Sequence, residues 1–196
     1  MNTFKEKAEA VSQLFTKLDQ EIADFQAATS LHCLHGCGEC CKKSDIEATI
    51  LEFIPFAVYV CENNEEDVWL AKVDEGRRVN PICRILSSHL PNGSSGLCSQ
   101  YQYRGMICRL FGYAAFLDKN EAPHLATCKL IKNEQSTNYA LAQERINDGL
   151  KVPIMKNYYH QLQVIDYELT KDFYPINEAI RLAIHKVAMQ KYYQGL

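Results

Sequence analysis

The chain has 196 residues, 47% of them apolar and 23% charged, with 21 Lys and Arg against 24 Asp and Glu for a formal net charge of −3. That balance suits a globular domain able to bury its own core, and no basic run exceeds two residues, so nucleic-acid binding has no electrostatic footprint. The longest apolar stretch, Ile50 to Cys61, is interrupted by Glu52 and falls short of the ~20 residues of a membrane helix. Met1 to Ala10 also lacks the apolar segment of a secretion signal, so a cytoplasmic, reducing location without a membrane partner is expected.

In chain order, Phe4, Ala8, Val11, Phe15, Leu18, Ile22 and Phe25 recur at alternating steps of four and three. This predicts a helix over roughly residues 3 to 28 whose narrow apolar stripe docks on the protein's own core; a coiled-coil seam is the other use of such a stripe. Thr29 to Lys43 reads as a turn-rich loop around Gly36 and Gly38. Ser44-Asp-Ile-Glu47 has the form of a capping box and predicts a helix start, with Pro55 kinking or splitting the run that follows. A further helix is expected over 65 to 75, a restart at Pro81 and a turn cluster over 91 to 97. The apolar residues 108 to 117 are expected to form a strand, 118 to 123 its turn and 124 to 131 a return strand. Three helices follow, over 135 to 149, 154 to 171 and 176 to 193. The expected fold is mainly α: a single domain spanning 1 to 196, in which helices surround a loop-rich cysteine metal centre with one short β-hairpin near 109 to 130. The cysteine region is 30 to 130, flanked by helices in 1 to 29 and 131 to 196.

The informative residues are nine cysteines: Cys33, Cys37, Cys40, Cys41, Cys61, Cys83, Cys98, Cys108 and Cys128. In a reducing compartment such clustering points to metal or catalysis, and the odd count argues against a disulfide framework. Residues 33 to 41 spell C-x3-C-x2-C-C, in which the step from Cys37 to Cys40 is the usual bite on one metal ion. Adjacent Cys40 and Cys41 point to opposite sides of an extended backbone, which suits two different metal ions or two irons of one cluster. A redox disulfide pair is the competing use of this segment. Four cysteines are followed directly by a cation, at Lys42, Arg84, Arg109 and Lys129, where chance supplies about one such pair from 21 Lys and Arg in 196 residues. Such neighbours are expected to favour the metal-binding thiolate. Cys61, in an apolar run and followed by Glu62, reads as a buried non-ligand.

The opening cluster, followed by Cys83 and then by Cys98-x2-Tyr101-x2-Arg104-x3-Cys108-Arg109, resembles the cysteine-cluster family of zinc- or iron-chelating (YkgJ-like) proteins over about residues 30 to 130. Gly105 stands where that family usually has proline, and Arg84-Ile85 replaces a Pro-Phe pair. The resemblance implies a ligand set of Cys33, Cys37, Cys40, Cys41, Cys83, Cys98, Cys108 and Cys128. That set would fill two four-cysteine zinc sites or hold an iron–sulfur cluster. It also implies that Arg104, Arg109 and Tyr101 lie around the thiolates, orienting and neutralising them. The family includes flagellin lysine methylases, so a methyltransferase is one implied activity, although no glycine-rich strand-to-helix motif for S-adenosylmethionine is found.

His32, His35 and His124 flank cysteines and could replace one as ligand; as ordinary loop residues they would donate hydrogen bonds instead. His89, His160 and His185 read as ordinary surface or core residues. Glu39 between ligands could serve as a general base only beside an open coordination position, which an all-cysteine site lacks. Tyr158, Tyr159, Tyr167, Phe173, Tyr174, Tyr192 and Tyr193 read as packing of the last helices. The sequence thus predicts a protein whose partner is a metal ion, with zinc favoured over an iron–sulfur cluster and a structural role favoured over an enzymatic one.

Overall fold

The computed structural model describes residues 3–34, 37–79, 82–87 and 97–194. The architecture is mainly α. Its helices are α1 (Phe4–Thr29), α2 (Ile54–Glu62), α3 (Glu66–Val79), α4 (Met106–Leu110), α5 (Lys129–Glu134), α6 (Ser136–Asn147), α7 (Met155–Ile165) and α8 (Ile176–Gln194). Six short strands, β1 (Glu47–Ala48), β2 (Leu86–Ser87), β3 (Leu97–Cys98), β4 (Ala114–Leu117), β5 (Pro123–Ala126) and β6 (Tyr174–Pro175), form three antiparallel pairs, β1–β6, β2–β3 and β4–β5. Among the described residues no helix is long and apolar enough to cross a membrane.

The chain divides into two compact units, each built from separated segments. The first comprises Met1–Gln13, Gly36–Gly105 and Leu162–Leu196, and the second Leu14–His35 and Met106–Gln161. Helix α1 contributes to both, and its stripe from Ala8 through Val11, Phe15, Leu18 and Ile22 to Phe25 is buried.

In the first unit α8 packs on α2 and α3. Ile54, Phe56, Ala57, Val60, Val73, Ala179, Ile180, Ala183 and Ile184 are sealed from solvent, each large side chain contributing about 1.5–3 kcal/mol. Pro55 sits in the first turn of α2, where its missing N–H costs nothing; the apolar run is split just before it, with a 3-10 turn at Leu51–Phe53. Asn64 adopts a left-handed backbone (φ 56°) after α2. Lys191 of α8 then secures that corner by donating to the Cys61 carbonyl, Asn64 Oδ1 and Glu66 Oε1 at 2.7, 2.7 and 3.0 Å.

The capping box at Ser44 starts no helix. Glu47 and Ala48 pair instead with Pro175 and Tyr174. A partner strand far along the chain thus takes the backbone groups that a local cap would have used.

Lys7 and Asp166, both largely buried, form a 2.6 Å ion pair in the same unit, and Asp166 also accepts from the Leu169 N–H at 3.0 Å. Burial raises the Asp166 carboxyl, but these two hydrogen bonds outweigh it and hold it below its ordinary 3.8. A depressed carboxylate stabilises the fold above its unfolded pKa and loses that contribution as pH falls through the folded value. Asp166→Asn is therefore expected to cost about 1.5–3 kcal/mol near neutral pH. In urea titrations the gap to wild type should narrow as pH falls below 3.8 and through the lower folded value; a gap independent of pH would contradict this account.

The second unit has its own core of Phe25, Leu31, Leu125, Ile131, Ala142 and Ile146. The β4–β5 pair supplies the expected hairpin, with Ala114 opposite Ala126 and Leu117 opposite Pro123. Asp118 closes its turn by accepting from the backbone N–H groups of Asn120 and Ala122 at 2.8 and 2.9 Å. Both expected strands are shorter than predicted. Residues 106–110 form α4, and Gly112, at φ +105°, turns the chain into β4. Lys129–Glu134 is helical, with Cys128 as its N-cap. The expected turn cluster at 91 to 97 lies almost wholly outside the described residues, as do Pro81 and His89.

Candidate metal centre

The first unit holds Cys37, Cys40, Cys41, Cys83 and Cys98, and the second holds Cys33, Cys108 and Cys128. Within the first unit three chain segments meet. Glu39–Lys42 forms a single 3-10 turn closed by the Cys41 N–H on the Gly38 carbonyl at 2.9 Å. The Cys83 N–H donates to the Cys41 carbonyl at 3.3 Å, which joins the second segment to the first. The third segment joins through the pairing of Leu86 with Cys98 and through Ser99, whose N–H and Oγ both donate to the Ile85 carbonyl at 2.8 Å.

The sulfur electrostatics follow from this meeting. A hydrogen bond from the Cys41 thiol is the largest influence on Cys40. Together with nearby backbone N–H groups and the Arg104 charge it outweighs burial and lowers the Cys40 pKa to about 6. Burial pushes Cys83 up to about 11, and negative charge at Cys98 and Cys40 acts in the same direction. Cys40, Cys83 and Cys98 therefore lie within electrostatic reach of one another. They stop short of ligating distance: among the described residues, no three Cys, His, Asp or Glu side chains are close enough together to hold one metal ion.

Arg104 is the cation that acts on Cys40, and its guanidinium lies 3.9 Å from the centre of the exposed Tyr101 ring. Two of the cations that directly follow cysteines, Lys42 and Arg109, have other partners. Lys42 pairs with Glu39 at 2.6 Å, which also occupies the carboxylate considered as a base. Buried Arg109 pairs with Asp19 and lies over Phe15 in the second unit. Adjacency in sequence is not adjacency of side chains in a 3-10 turn or an α-helix, where neighbours point to different sides.

In the second unit the exposed Cys33 donates its N–H to the Tyr113 hydroxyl, and the Cys128 sulfur accepts from the Ile131 N–H at 3.4 Å. Cys108 is half-buried in α4. His32 exchanges backbone hydrogen bonds with the Gln135 side chain, His124 pairs with Asp118 at 3.1 Å, and His35 lies outside the described residues. Cys61 is buried in α2, where burial pushes its thiol up to about 11.

The model of the CxxCxxCC family, described as a putative zinc- or iron-chelating domain, matches residues 32–142, more than half of the chain. The chain belongs to the CxxCxxCC family. No match was found among the curated proteins or the solved structures. The CxxCxxCC match covers the eight cysteines named as ligands, both arginines of the C-Y-R-C-R block and also Cys61, which is set apart by its burial in α2. The chemistry of the side chains suits the chelation that describes the CxxCxxCC family: they are soft sulfur donors, and the Cys40 thiol is lowered to about 6 chiefly by its hydrogen bond from Cys41.

Two residues that matter to this site were not singled out from the sequence. Glu52, completely buried, accepts from the Thr49 N–H and hydroxyl at 2.8 and 3.1 Å. A Cβ on Gly105 would lie 3.0 Å from its other oxygen and 2.9 Å from Phe53 Cζ. That crowding accounts for glycine in the place of the family's proline. A charged residue inside an apolar run was the available signal for Glu52. The other residue is Asn177 of α8, buried beside the Cys83 segment, for which the sequence carries no signal.

Proposed function

We propose that the protein is a zinc-binding module whose metal has a structural role, with Cys40, Cys41, Cys83 and Cys98 of the first unit as its primary ligands and Cys37 as a fifth candidate. The observation that carries this reading is the meeting of three distant chain segments through the Cys83–Cys41 and Ser99–Ile85 hydrogen bonds, with sulfur atoms in electrostatic reach and Arg104 beside them. Bound zinc would supply a fixed tetrahedral centre for sulfur, and its attraction would offset the repulsion between thiolates. Arg104 balances part of the negative charge that four thiolates leave on a divalent ion, and the Tyr101 ring holds that guanidinium in place. A site of four thiolates would leave no open position for a reacting ligand, and Glu39 is engaged by Lys42, which favours structure over catalysis. Cys33, Cys108 and Cys128 would bind a second ion in this reading. A reducing cytoplasm keeps all of these thiols available.

Elemental analysis and an absorption spectrum of anaerobically purified protein test the proposal. The expected result is a colourless protein with at least one zinc per chain. Broad visible absorption with iron and sulfide would replace zinc by an iron–sulfur cluster. A chain without stoichiometric zinc or iron would overturn metal binding altogether.

A further inference from the structure

We propose that Asn177 is a positioning residue for the metal centre, and that the entry to α8, beyond residues 32–142 matched by the family, is the template that sets where Cys83 stands relative to Cys40 and Cys41. The inference rests on the metal-binding reading and adds a residue to it.

The geometry is a clamp with two jaws. Asn177 Oδ1 accepts from the Arg84 N–H at 2.9 Å, and its Nδ2 donates to the Ile82 carbonyl at 2.9 Å. One buried amide thus grips the backbone on both sides of Cys83, using a donor and an acceptor in the orientation that only a carboxamide provides. One residue earlier, the Ile176 N–H donates to the Ile46 carbonyl at 2.9 Å. Just before that, β6 pairs with β1 through Pro175–Glu47 and Tyr174–Ala48. The segment that follows Cys41 and the segment that contains Cys83 are therefore fastened to adjacent residues of one rigid element. The Ser99 bonds to Ile85 then carry the placement on to Cys98.

The Glu39–Lys42 turn has no buried residue, and β2 and β3 are two residues each. Side chains that orient ligand-bearing backbone typically change metal affinity by about 10–100-fold when removed. Asn177 meets that description through the backbone on both sides of Cys83.

The test compares wild type, Asn177→Ala and Thr170→Ala. Thr170 is a buried residue of the same unit that donates to the Asp166 carbonyl at 2.7 Å, so its loss is a comparable deletion with no bond to the cysteine loops. Two readouts are needed. The first is N-ethylmaleimide labelling of the reduced, metal-free chain, scored by peptide mass spectrometry as the Cys83-to-Cys61 ratio. Both thiols are buried, and Cys61 in α2 reports general loosening. The second is zinc affinity by competition with a chromogenic chelator. Asn177→Ala is expected to raise the labelling ratio roughly tenfold, as a local opening would, and to weaken zinc by about 10–100-fold. Thr170→Ala should leave both unchanged. An unchanged ratio in Asn177→Ala, the same rise in Thr170→Ala, or wild-type zinc affinity in Asn177→Ala overturns the inference. A wild-type chain that binds neither zinc nor iron defeats the metal reading, and with it the positioning role, whereas wild-type binding with an indifferent Asn177 defeats the clamp alone.

Discussion

Stripping zinc from the loaded protein with a strong chelator is expected to lower its unfolding free energy by about 3–4 kcal/mol at metal concentrations of 100 to 1,000 times the dissociation constant. It should do so unevenly. The helical core of the first unit, with α8 on α2 and α3, contains none of the proposed ligands, so the α-helical circular dichroism should largely survive. The segments 37–43, 82–86 and 98–104 depend on a few backbone hydrogen bonds between short turns, and their amides should gain exchange by the largest factor. This differs from small zinc fingers, where metal binding supplies all the folding energy, about 10–16 kcal/mol, because they have no core of their own. Hydrogen exchange read by mass spectrometry, with and without chelator, checks it. Equal protection of the three segments in both states would contradict a metal that ties them together. Complete loss of helical signal would contradict an independent core.

Glu52→Ala is expected to be the most damaging single substitution in the first unit outside the cysteines, at about 3–5 kcal/mol. The carboxylate is fully buried and accepts from both the N–H and the hydroxyl of Thr49, itself sealed from solvent. Its removal takes an acceptor from two buried donors, each worth about 1–3 kcal/mol when left unmade. It also opens space beside Gly105 and Phe53 at the end of the segment that carries Cys98. Glu52→Gln keeps the volume and one acceptor and should cost about 1 kcal/mol. Thermal unfolding resolves the two, because a domain of this size shifts by about 2–4 °C per kcal/mol. An alanine variant within about 0.5 kcal/mol of wild type would show that the carboxylate is not part of the framework.

What could be read in advance was the information held locally. The stripe from Phe4 to Phe25 became α1 because seven apolar side chains at helical spacing need no distant partner to define their face. The hairpin turn at Asp118 was legible for the same reason, since an aspartate that accepts from its own following backbone writes the turn into the sequence. Ser44–Glu47 failed because its cap competes with a strand partner at Tyr174–Pro175 that no local pattern reveals. The run after Cys108 failed because a short apolar segment has no periodicity to separate strand from helix, and Gly112 divides it between the two. At the site, the segments carrying Cys41, Cys83 and Cys98 meet through backbone hydrogen bonds, while no three ligating side chains among the described residues are close enough to hold one ion. The partners of the cations do not follow the sequence: Arg104 reaches Cys40 across the fold, whereas Lys42 turns to Glu39 and Arg109 to Asp19.

The first unit closes only when residues from Leu162 onward come back to meet the Gly36–Gly105 segment. During synthesis every cysteine leaves the ribosome before Asn177 exists, and at ordinary elongation rates the wait after Cys98 is on the order of ten seconds. Nascent thiols spend that interval without the amide that grips Cys83. An ion captured then meets an unfinished cage, and a chain that stops short of α8 carries the whole family signature while lacking the hold on it. On the metal-binding reading, the centre is therefore expected to mature only once the segment that carries Asn177 has joined it.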